Sequence, residues 1–356
     1  MRDQRNDKES QVKKLDGKSI LVTGACGTIG AELVSQLLTD VSYAPREVVC
    51  IDNNEGAAFY LDQRYLDDPR AHFYVTDIRD RDALTELMRG VDIVFHAAAL
   101  KHVILCERSP EQAVQTNIYG VQNIIAAANA NGVETVIFTS SDKAVNPTNV
   151  MGTSKLMGER LITAANSNKR QGGPVFASTR FGNVLGSSGS VVPIFHRQIA
   201  QGGPVTLTDR SMTRFVMSIR EAVRLILDSA EMARGGEVFV TKMPTVRIED
   251  LAFAMIEELA PRYQRDPEQI KVIEIGAKAG EKLYEELMNS EETRRTVELE
   301  NYFSVLPAFR GVALSVDYSY PNTLRTSVSE PYVSSEEQPL SKEEIKQFLR
   351  VNTLLD

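Results

Sequence analysis

Acid–base side chains are concentrated in the segment SSDKAVNPTNVMGTSK, residues 140–155. Asp142 and Lys143 are adjacent, so an acid and a base could act on neighbouring atoms of one small substrate. Lys155 lies four residues after Met151, so both side chains would point the same way on a helix. The thioether of the methionine cannot carry a proton. The proton chemistry of this segment therefore falls to its carboxyl and amine groups.

Catalysis by Asp142 and Lys143 would require shifted pKa values. The acid must keep its proton above the reference pKa of about 3.9, and the base must lose its proton well below the reference pKa of about 10.4. Burial shifts both pKa values in the required direction. An ion pair between the two side chains would shift both the opposite way, and this ion pair is the structural alternative to catalysis.

The first half of the chain alternates short β-branched runs with helical periodicity. The runs that predict buried parallel strands are residues 19–23, 47–51, 72–75, 92–98, 135–140 and 175–180. One segment has apolar residues at steps of four and three, which predicts a helix lying on a sheet: Val114, Ile118, Val121, Ile125 and Ala128. Strand, helix and strand repeated in this way predict an α/β fold with a Rossmann-like doubly wound parallel sheet.

The stretch VTGACGTIGAEL, residues 22–33, follows the first predicted strand and begins a helix. Its glycines, Gly24, Gly27 and Gly30, permit a tight turn and allow backbone N–H groups to approach a pyrophosphate. The motif alone is weak, because a Gly-rich turn can be purely structural. Asp52 at the end of the second strand strengthens it, since a carboxylate there would bind ribose hydroxyls and repel a ribose phosphate. The sequence therefore predicts a site for NAD, with NADP as the alternative.

Other residues at the ends of the predicted strands could line the dinucleotide site. Further cofactor contacts are predicted at Thr28, Ile29, Asp77, Ile78, Ala97, Ala98, Ala99 and Lys155. We interpret His96 as a structural strand-end histidine rather than a catalytic one. Lys101 and His102 lie on the loop beyond the fourth strand. The sequence is equally compatible with a substrate contact and with a solvated surface position for these two residues.

The patterns predict four regions: a polar N-terminal extension at 1–16, an NAD(P)-binding Rossmann domain at 17–180, a mainly substrate-binding domain at 181–320 and a peripheral segment at 321–356. We expect some segments of the third region to return to the Rossmann domain. Beyond residue 181 the patterns predict a Gly/Ser loop at 182–193, a short strand within 201–209, helices near 219–233, 248–260 and 279–288, and an amphipathic helix in LSKEEIKQFLR.

Composition bounds the partners of the chain. The net charge of −8 argues against a nucleic-acid or anionic-membrane partner. Four histidines and three cysteines outside metal spacing predict no metal site. No apolar run approaches the roughly 18 residues of a membrane helix, and the polar N-terminal residues do not resemble a signal peptide. We therefore expect a cytoplasmic protein without membrane insertion.

Seven motifs carry a family resemblance, in this order: the Gly-rich turn, HAAALKHV, TNIYGVQN, SSDKAVNPTNVMGTSK, RFGNVLGSSGSVVPIF, MTRFVMS and GEKLYEEL. Together they resemble the extended short-chain dehydrogenase/reductase superfamily, and more narrowly the UDP-N-acetylglucosamine 4,6-dehydratases of bacterial polysaccharide biosynthesis. The resemblance covers about residues 17–290. It departs from the superfamily pattern at Met151, where most relatives carry tyrosine, although this subgroup includes members with methionine.

The resemblance implies a lyase that oxidises carbon 4 of a UDP-N-acetylhexosamine, eliminates water across carbons 5 and 6 and returns the hydride to carbon 6. It implies that Asp142 is the acid, that Lys143 is the base and that Lys155 anchors the nicotinamide ribose. Because Met151 replaces the tyrosine, we expect Ser141 to hydrogen-bond oxygen 4 and to relay its proton to Lys143 or water. The surrounding motif leads us to favour catalysis over a structural ion pair.

The resemblance also implies contacts with UDP-N-acetylglucosamine beyond the Rossmann domain. Arg214 is the first candidate for the diphosphate, because a guanidinium matches phosphate oxygens. Arg180 is the weaker candidate, since a strand-end arginine is often an ion-pair partner. Asn183 could contact the sugar or lie in an ordinary loop, and Glu281 with Tyr284 could contact the nucleoside or form a helix cap and surface face. By analogy with the superfamily we expect a homo-oligomer.

Two other functions stay open. Another epimerase or dehydratase of the same fold would act on a nucleotide sugar, but an epimerase has no need of an Asp–Lys elimination pair. A non-catalytic dinucleotide-binding module could have lost the tyrosine. Such a module would not need to keep Asp142, Lys143 and Lys155 together.

Overall fold

Parallel strands form the centre of the fold, because their sequences are nearly continuous apolar runs that need cover on both faces. The computed structural model describes residues 14–169, 173–187, 189–276, 280–309 and 316–355. Residues 1–13 of the predicted N-terminal extension and Ser188 of the predicted loop lie outside these ranges.

The described strands are β1 (Ser19–Thr23), β2 (Glu47–Asp52), β3 (Ala71–Val75), β4 (Ile93–His96), β5 (Thr135–Thr139), β6 (Val175–Arg180), β7 (Asn183–Val184), β8 (Val205–Leu207), β9 (Thr213–Met217), β10 (Val238–Thr241), β11 (Thr245–Arg247), β12 (Val272–Glu274), β13 (Glu286–Met288), β14 (Thr296–Leu299), β15 (Tyr302–Val305), β16 (Thr323–Arg325) and β17 (Tyr332–Val333). The described α-helices are α1 (Thr28–Thr39), α2 (Glu55–Arg64), α3 (Arg81–Leu87), α4 (Val103–Arg108), α5 (Pro110–Val114), α6 (Gly120–Asn131), α7 (Val150–Asn168), α8 (Val191–Ala200), α9 (Ile219–Met232), α10 (Ile248–Leu259) and α11 (Lys342–Val351).

The main sheet has the strand order β16-β14-β15-β10-β6-β5-β4-β1-β2-β3. Every pair from β10 to β3 is parallel, whereas β15, β14 and β16 extend the sheet antiparallel. The six predicted parallel strands are confirmed, but β3, at the edge of the sheet, is not buried as predicted, since Tyr74 and Val75 are exposed. The strand order reverses at β1, with β2 and β3 on one side of it and β4, β5 and β6 on the other. Doubly wound sheets bind ligands in the crevice at such a reversal.

Two apolar clusters cover the faces of this sheet. One lies beneath α1 and α9, and the other lies beneath α3, α6 and α7. The predicted helix through residues 114–128 is present, but a π-helical segment, Gln115–Tyr119, interrupts it. The wider turn rotates the preceding residues away from the sheet. Val121 and Ala128 are therefore buried as predicted, whereas Val114 is 37% exposed.

The C-terminal segment packs into a third apolar cluster instead of lying at the periphery. The amphipathic helix predicted in residues 340–350 is confirmed as α11, and its Ile345 and Leu349 are buried among residues of α8 and α10. The helices predicted near 219–233 and 248–260 and the strand predicted within 201–209 are also confirmed, as α9, α10 and β8.

The helix predicted at 279–288 is wrong. The described part of this segment is extended, and its end, β13, pairs antiparallel with β17. Glu285, Leu287 and Met288 are all buried, so burial in this segment follows its pairing with β17 and its packing rather than a helical period. Residues 277–279 lie outside the described ranges.

Candidate active site

An open cleft of about 310 Å³ lies at the carboxyl ends of β1 to β4. Predicted cofactor residues that line it are Gly24, Gly27, Asp52, Asp77, Ile78, Ala97, Ala98 and Ala99. Lining residues that the sequence analysis missed include Asn53, Thr76, Arg79, Leu100, Gln112 and Thr116. Thr28, Ile29 and Gly30 follow in the first turn of α1. The cleft therefore gathers residues from the ends of successive strands, as a dinucleotide site requires.

Two glycines keep the turn between β1 and α1 close to the sheet. Gly24 has a φ of +67°, and a Cβ atom there would lie 2.7 Å from the backbone of Ala98. A Cβ atom at Gly30 would lie 2.0 Å from the carbonyl oxygen of Gly24. Only glycine fits at either position without moving the backbone. This cradle fits a dinucleotide whose pyrophosphate approaches the N-terminus of α1.

Replacing Gly30 with alanine is expected to weaken cofactor binding. The added methyl group must displace the Gly24 carbonyl, and overpacking of this kind costs about 1–3 kcal/mol, which corresponds to about ten- to hundredfold in affinity. Isothermal titration of the purified protein with NAD measures the effect. Gly56→Ala is the matched control, because its Cβ atom would come no closer than 3.8 Å to another residue. Wild-type affinity in Gly30→Ala would show that the turn does not hold the cofactor.

Asp52 is fixed at the end of β2 by two backbone donors. Its carboxylate accepts hydrogen bonds from the N–H of Cys26 and the N–H of Asn54, each at 3.0 Å. Arg79 brings a guanidinium to the same cleft, but Asp77 neutralises it at 2.5 Å. The Arg79 ion pair holds the pKa of Asp77 below its ordinary value. This end of the cleft therefore carries the carboxyl groups of Asp52 and Asp77 together with the guanidinium of Arg79.

The acid–base pair lies on the turn that follows β5. A 3₁₀ segment, Asp142–Ala144, begins there, with Ser141 as its N-cap. The Lys143 Nζ atom lies 3.0 and 3.2 Å from the two carboxylate oxygens of Asp142, and the Ser141 hydroxyl donates to Asp142 Oδ1 at 2.6 Å. Asp142 is 3% exposed, whereas one-third of the Lys143 side chain is exposed. The carboxylate of the pair is therefore buried, whereas its amine is partly exposed to solvent.

The pKa shifts required by the sequence prediction are contradicted. Burial alone would raise the pKa of Asp142, but the charge of Lys143 and hydrogen bonds from neighbouring groups bring it below its ordinary value. Burial alone would lower the pKa of Lys143, but the charges of Asp142 and Glu285 raise it above its ordinary value. The resting pair is therefore ionised. The predicted proton relay from Ser141 to Lys143 is also revised. The Ser141 hydroxyl donates its hydrogen bond to Asp142, so a proton passed through Ser141 would reach Asp142.

Glu285 is the residue of this site that the sequence analysis missed. It lies just before β13, is 5% exposed, and has a carboxylate oxygen 3.6 Å from Lys143 Nζ. Burial, followed by the charge of Asp142, raises the pKa of Glu285 to about 7. The sequence YEEL carries no signal for a buried glutamate, because its apolar residues, Tyr284 and Leu287, stand at a helical spacing of three with two glutamates between them.

Arg214 and Asn183 hold Glu285 in place. The Asn183 amide nitrogen donates to both carboxylate oxygens of Glu285 at 2.8 Å, and Arg214 Nε lies 3.2 Å from it. The other guanidinium nitrogens of Arg214 donate to the backbone carbonyls of Thr213, Lys282 and Leu283. The prediction that Arg214 binds the diphosphate is therefore replaced by a structural role, because its guanidinium already hydrogen-bonds protein carbonyls and pairs with Glu285. The Asn183 side-chain amide, predicted to contact the sugar, likewise donates to the carboxylate of Glu285.

The prediction that Arg180 binds substrate is wrong. Its guanidinium is 1% exposed and forms ion pairs with Glu159 at 2.7 Å and Glu292 at 3.0 Å. It also donates to the carbonyl of Leu287. A guanidinium so enclosed by carboxylates cannot reach a substrate phosphate, so Arg180 is a structural residue that joins α7 to the segment after β13.

Met151 and Lys155 are both buried on α7. Met151 is 3% exposed and packs against Cys106 and Ala113. Lys155 Nζ donates to the carbonyl of Thr139 at 2.9 Å, and burial lowers its pKa to about 8. The Lys155 amine therefore lies at the end of β5, beside the acid–base turn. Its contact with a nicotinamide ribose stays a prediction.

The histidine of β4 has a structural environment. His96 is 1% exposed, and its Nδ1 atom lies 2.7 Å from the hydroxyl of Thr23. Burial and the nearby charge of Lys155 lower its pKa to about 3. His96 is therefore neutral and joins β4 to β1.

The remaining predicted substrate residues lie on exposed loops. Lys101 and His102 follow β4, and the His102 backbone begins α4. Glu281 is exposed and accepts a hydrogen bond from Thr208 at 3.2 Å, in a segment without the predicted helix. Tyr284 is 44% exposed. Substrate contacts by these residues stay predictions.

Two absences apply to the part of the chain that the structure describes. No group of three or more metal-ligating side chains occurs among these residues. None of the described helices has both the length and the apolar composition to cross a bilayer.

Comparison with known proteins relates this site to nucleotide-sugar enzymes. The chain matches a family model described as polysaccharide biosynthesis protein over residues 20–307. It is 47% identical, over 94% of its length, to an uncharacterized membrane protein of Methanocaldococcus jannaschii, of which 95% is covered. It is 38% identical, over 85% of its length, to a UDP-N-acetylglucosamine 4,6-dehydratase (inverting) of Campylobacter jejuni, of which 87% is covered. It is also 38% identical, over 93% of its length, to a UDP-glucose 4-epimerase of Rickettsia akari, of which 95% is covered.

Solved structures share the fold. Pen from Bacillus thuringiensis matches with a TM-score of 0.88 and 38% identity, over 96% of this chain and 100% of that one. DesIV, a dTDP-glucose 4,6-dehydratase from Streptomyces venezuelae solved with NAD and TYD bound, matches with a TM-score of 0.65 and 25% identity, over 74% of this chain and 86% of that one. These matches confirm the Rossmann-like fold and support an NAD-type cofactor. The chain therefore belongs to the polysaccharide biosynthesis protein family, within the extended short-chain dehydrogenase/reductase superfamily.

Proposed function

We propose that this chain is an NAD-dependent UDP-N-acetylglucosamine 4,6-dehydratase that recycles its cofactor. The observation that carries the proposal is the cluster of two buried carboxyl groups, Asp142 and Glu285, with the partly exposed amine of Lys143 at the carboxyl end of β5. This strand pairs with β4, at whose end the dinucleotide cleft begins. An acid and a base beside a redox cofactor are what elimination next to an oxidised carbon requires.

The cleft fits the cofactor through its glycine cradle and its carboxylates. The residues that would hold NAD are those of the β1–α1 turn, Asp52 at the ribose end and Lys155 near the end of β5. NAD, when bound, supplies the redox chemistry by accepting a hydride from carbon 4 and returning it to carbon 6. Asp52 favours NAD over NADP, because its charge would repel a ribose phosphate.

The proton chemistry belongs to the residues after β5. The carbon 4 hydroxyl can pass its proton through Ser141 to ionised Asp142, because the Ser141 hydroxyl already donates to that carboxylate. Asp142 then holds the proton that the carbon 6 hydroxyl needs in order to leave as water. Lys143 takes the carbon 5 proton once it has lost its own. The ionised resting pair is therefore the state that precedes oxidation, and the reactive protonation states arise during turnover.

UDP-glucose 4-epimerase activity is the second candidate, because similar proteins of Rickettsia carry that name. An epimerase needs the cofactor cleft and a group that accepts the carbon 4 proton, but it has no elimination step. The Asp142–Lys143–Glu285 cluster would then have no proton to move at carbons 5 and 6. The cluster favours the dehydratase.

Mass spectrometry of the reaction product distinguishes the two candidates. Purified protein incubated with UDP-N-acetylglucosamine and NAD is expected to give a product lighter by one water, with a keto group at carbon 4 in the proton NMR spectrum. A product of unchanged mass from UDP-glucose, whose proton NMR couplings show inverted configuration at carbon 4, would instead establish an epimerase. Absence of both products from protein that retains its cofactor would favour a non-catalytic module.

The cofactor itself can be identified from the same purified protein. Denaturation releases what is bound, and its mass separates NAD from NADP. We expect NAD, and recovery of NADP alone would contradict the role of Asp52.

A further inference from the structure

Glu285 brings a second carboxyl group to the acid–base pair from a distant part of the chain. Its backbone N–H donates to the Ser334 hydroxyl at 2.9 Å, and the Ser334 N–H donates to the Glu285 carbonyl at 2.9 Å. Its carboxyl group lies against Lys143, Arg214 and Asn183. This carboxyl group is therefore fixed beside the amine that must act as the base.

The proposed reaction leaves one proton without a destination. The resting lysine is charged, so it must release a proton before it can take one from carbon 5. Asp142 cannot accept that proton, because it receives the one from the carbon 4 hydroxyl. Among the residues that the structure describes, the second carboxylate paired with Lys143 Nζ is that of Glu285, at 3.6 Å.

We propose that Glu285 is a proton store, which takes the proton that Lys143 releases before elimination and returns it when the cycle ends. This inference rests on the proposed dehydratase function. Glu285 acts on the substrate through Lys143, so it is a positioning and proton-storing residue of the site.

The protons balance over the cycle. Transfer of the carbon 4 hydroxyl proton to Asp142, and of the Lys143 proton to Glu285, gives two neutral acids and a neutral amine. Elimination moves the carbon 5 proton to Lys143 and the Asp142 proton to the departing hydroxide, which leaves as water. Lys143 then returns its proton to carbon 5, as the hydride returns to carbon 6, and Glu285 returns its proton to Lys143. The site regains its initial charges, and the carbon 4 hydroxyl proton has left in the water.

The charges around Glu285 suit a group that gains and loses a proton near neutrality. Asp142 and Lys143 face it from the turn after β5, Arg214 faces it from β9, and the neutral groups of Asn183 and Ser334 complete its surroundings. On its own segment, Lys282 and Glu286 pair with each other at 3.2 Å. One anion opposes two cations, and burial raises the pKa of Glu285 to about 7. Above that pH Glu285 is mainly an ionised carboxylate, which is the form that can accept the proton from Lys143.

The first test observes Glu285 directly and does not depend on turnover. Protein with carbon-13 in its glutamate carboxyl groups is titrated by NMR in the presence of NAD. We expect one signal to titrate near pH 7 and to vanish in Glu285→Gln. Signals from Glu237, a buried glutamate outside the site whose pKa burial also raises, must remain in that variant. If the signal lost in Glu285→Gln titrates in the ordinary range for glutamate, the proton store is disproved.

The second test follows the pH dependence of the rate. Below pH 7 the store is already filled, so kcat of the wild type is expected to fall about tenfold for each pH unit. Glu285→Gln is expected to lose about 10²-fold in kcat, to keep its KM and to lose this acidic limb. Glu336→Gln, at an exposed glutamate, is the control with wild-type behaviour.

The outcomes separate the two proposals. If the wild type releases no water from any UDP-sugar, the proposed function fails whatever Glu285 does in the titration. If the wild type is an active dehydratase and Glu285→Gln keeps both its rate and its acidic limb, only the proton store fails.

Discussion

Asp142→Asn is expected to lower the rate of water elimination about 10²- to 10⁴-fold. Asparagine preserves the volume of a side chain that is 3% exposed, and it can still accept from the Ser141 hydroxyl. It cannot take up the carbon 4 proton or give one to the carbon 6 hydroxyl. Rapid-quench measurement of product mass at saturating substrate gives the rate of this step.

The comparison for Asp142→Asn is Asp67→Asn, which changes an exposed aspartate in the loop after α2. Cofactor affinity should match in both variants, because Asp142 lies outside the dinucleotide cleft. If Asp142→Asn and Asp67→Asn dehydrate the substrate at the same rate, the Asp142–Lys143 ion pair has only a structural role. The same loss in Lys143→Met would support the pair as a unit.

Arg180→Met is expected to lower the free energy of unfolding by about 3–5 kcal/mol, because it leaves two carboxylates buried without their cation. Glu159 is 3% exposed and Glu292 is 4% exposed, so water cannot replace the guanidinium. The ion pair with Arg180 holds the pKa of Glu292 below its ordinary value, against the effect of burial. Urea unfolding at neutral pH, with a reduced midpoint and an unchanged slope, measures this loss.

Acidification gives a second measure of the same effect. Since the pKa of Glu292 is lowered in the folded protein, the stability from its pairing is present at neutral pH and is lost as pH falls through that lowered value. The difference between wild type and Arg180→Met should therefore shrink in acid. Arg160→Met, on the exposed face of α7, is the matched control and should unfold like the wild type. Equal stability of the two variants would contradict a structural role for Arg180.

The Rossmann half of the fold could be predicted because its signals are local. Each parallel strand is a short apolar run, and the glycines after β1 are required by backbone contacts that the G-x-x-G-x-x-G spacing already indicates. The rotation of Val114 away from the sheet was not predictable from the apolar period, because a π-helical turn changes that period within the helix.

The acid–base site could be predicted only in part, because its charges are supplied by segments distant in the sequence. Asp142 and Lys143 were identified from one segment, and their charges act on each other, but Glu285, which lies beyond residue 280, also contributes to both pKa shifts. That segment contains charged residues at a spacing compatible with a helix, and its pairing with β17 makes it a strand. Arg180 and Arg214 were misassigned for the same reason, since their carboxylate and carbonyl partners are brought to them only by the fold.

The pairing of Glu285 with Ser334 has a consequence for synthesis on the ribosome. The β1 to β6 sheet is complete once residue 180 has emerged, and domains tend to form from the N-terminal side as they are made. At that stage α9, which covers one face of this sheet, and Glu285 are still untranslated. The charge pattern around Asp142 and Lys143 is therefore complete only after residues up to Ser334 have left the ribosome.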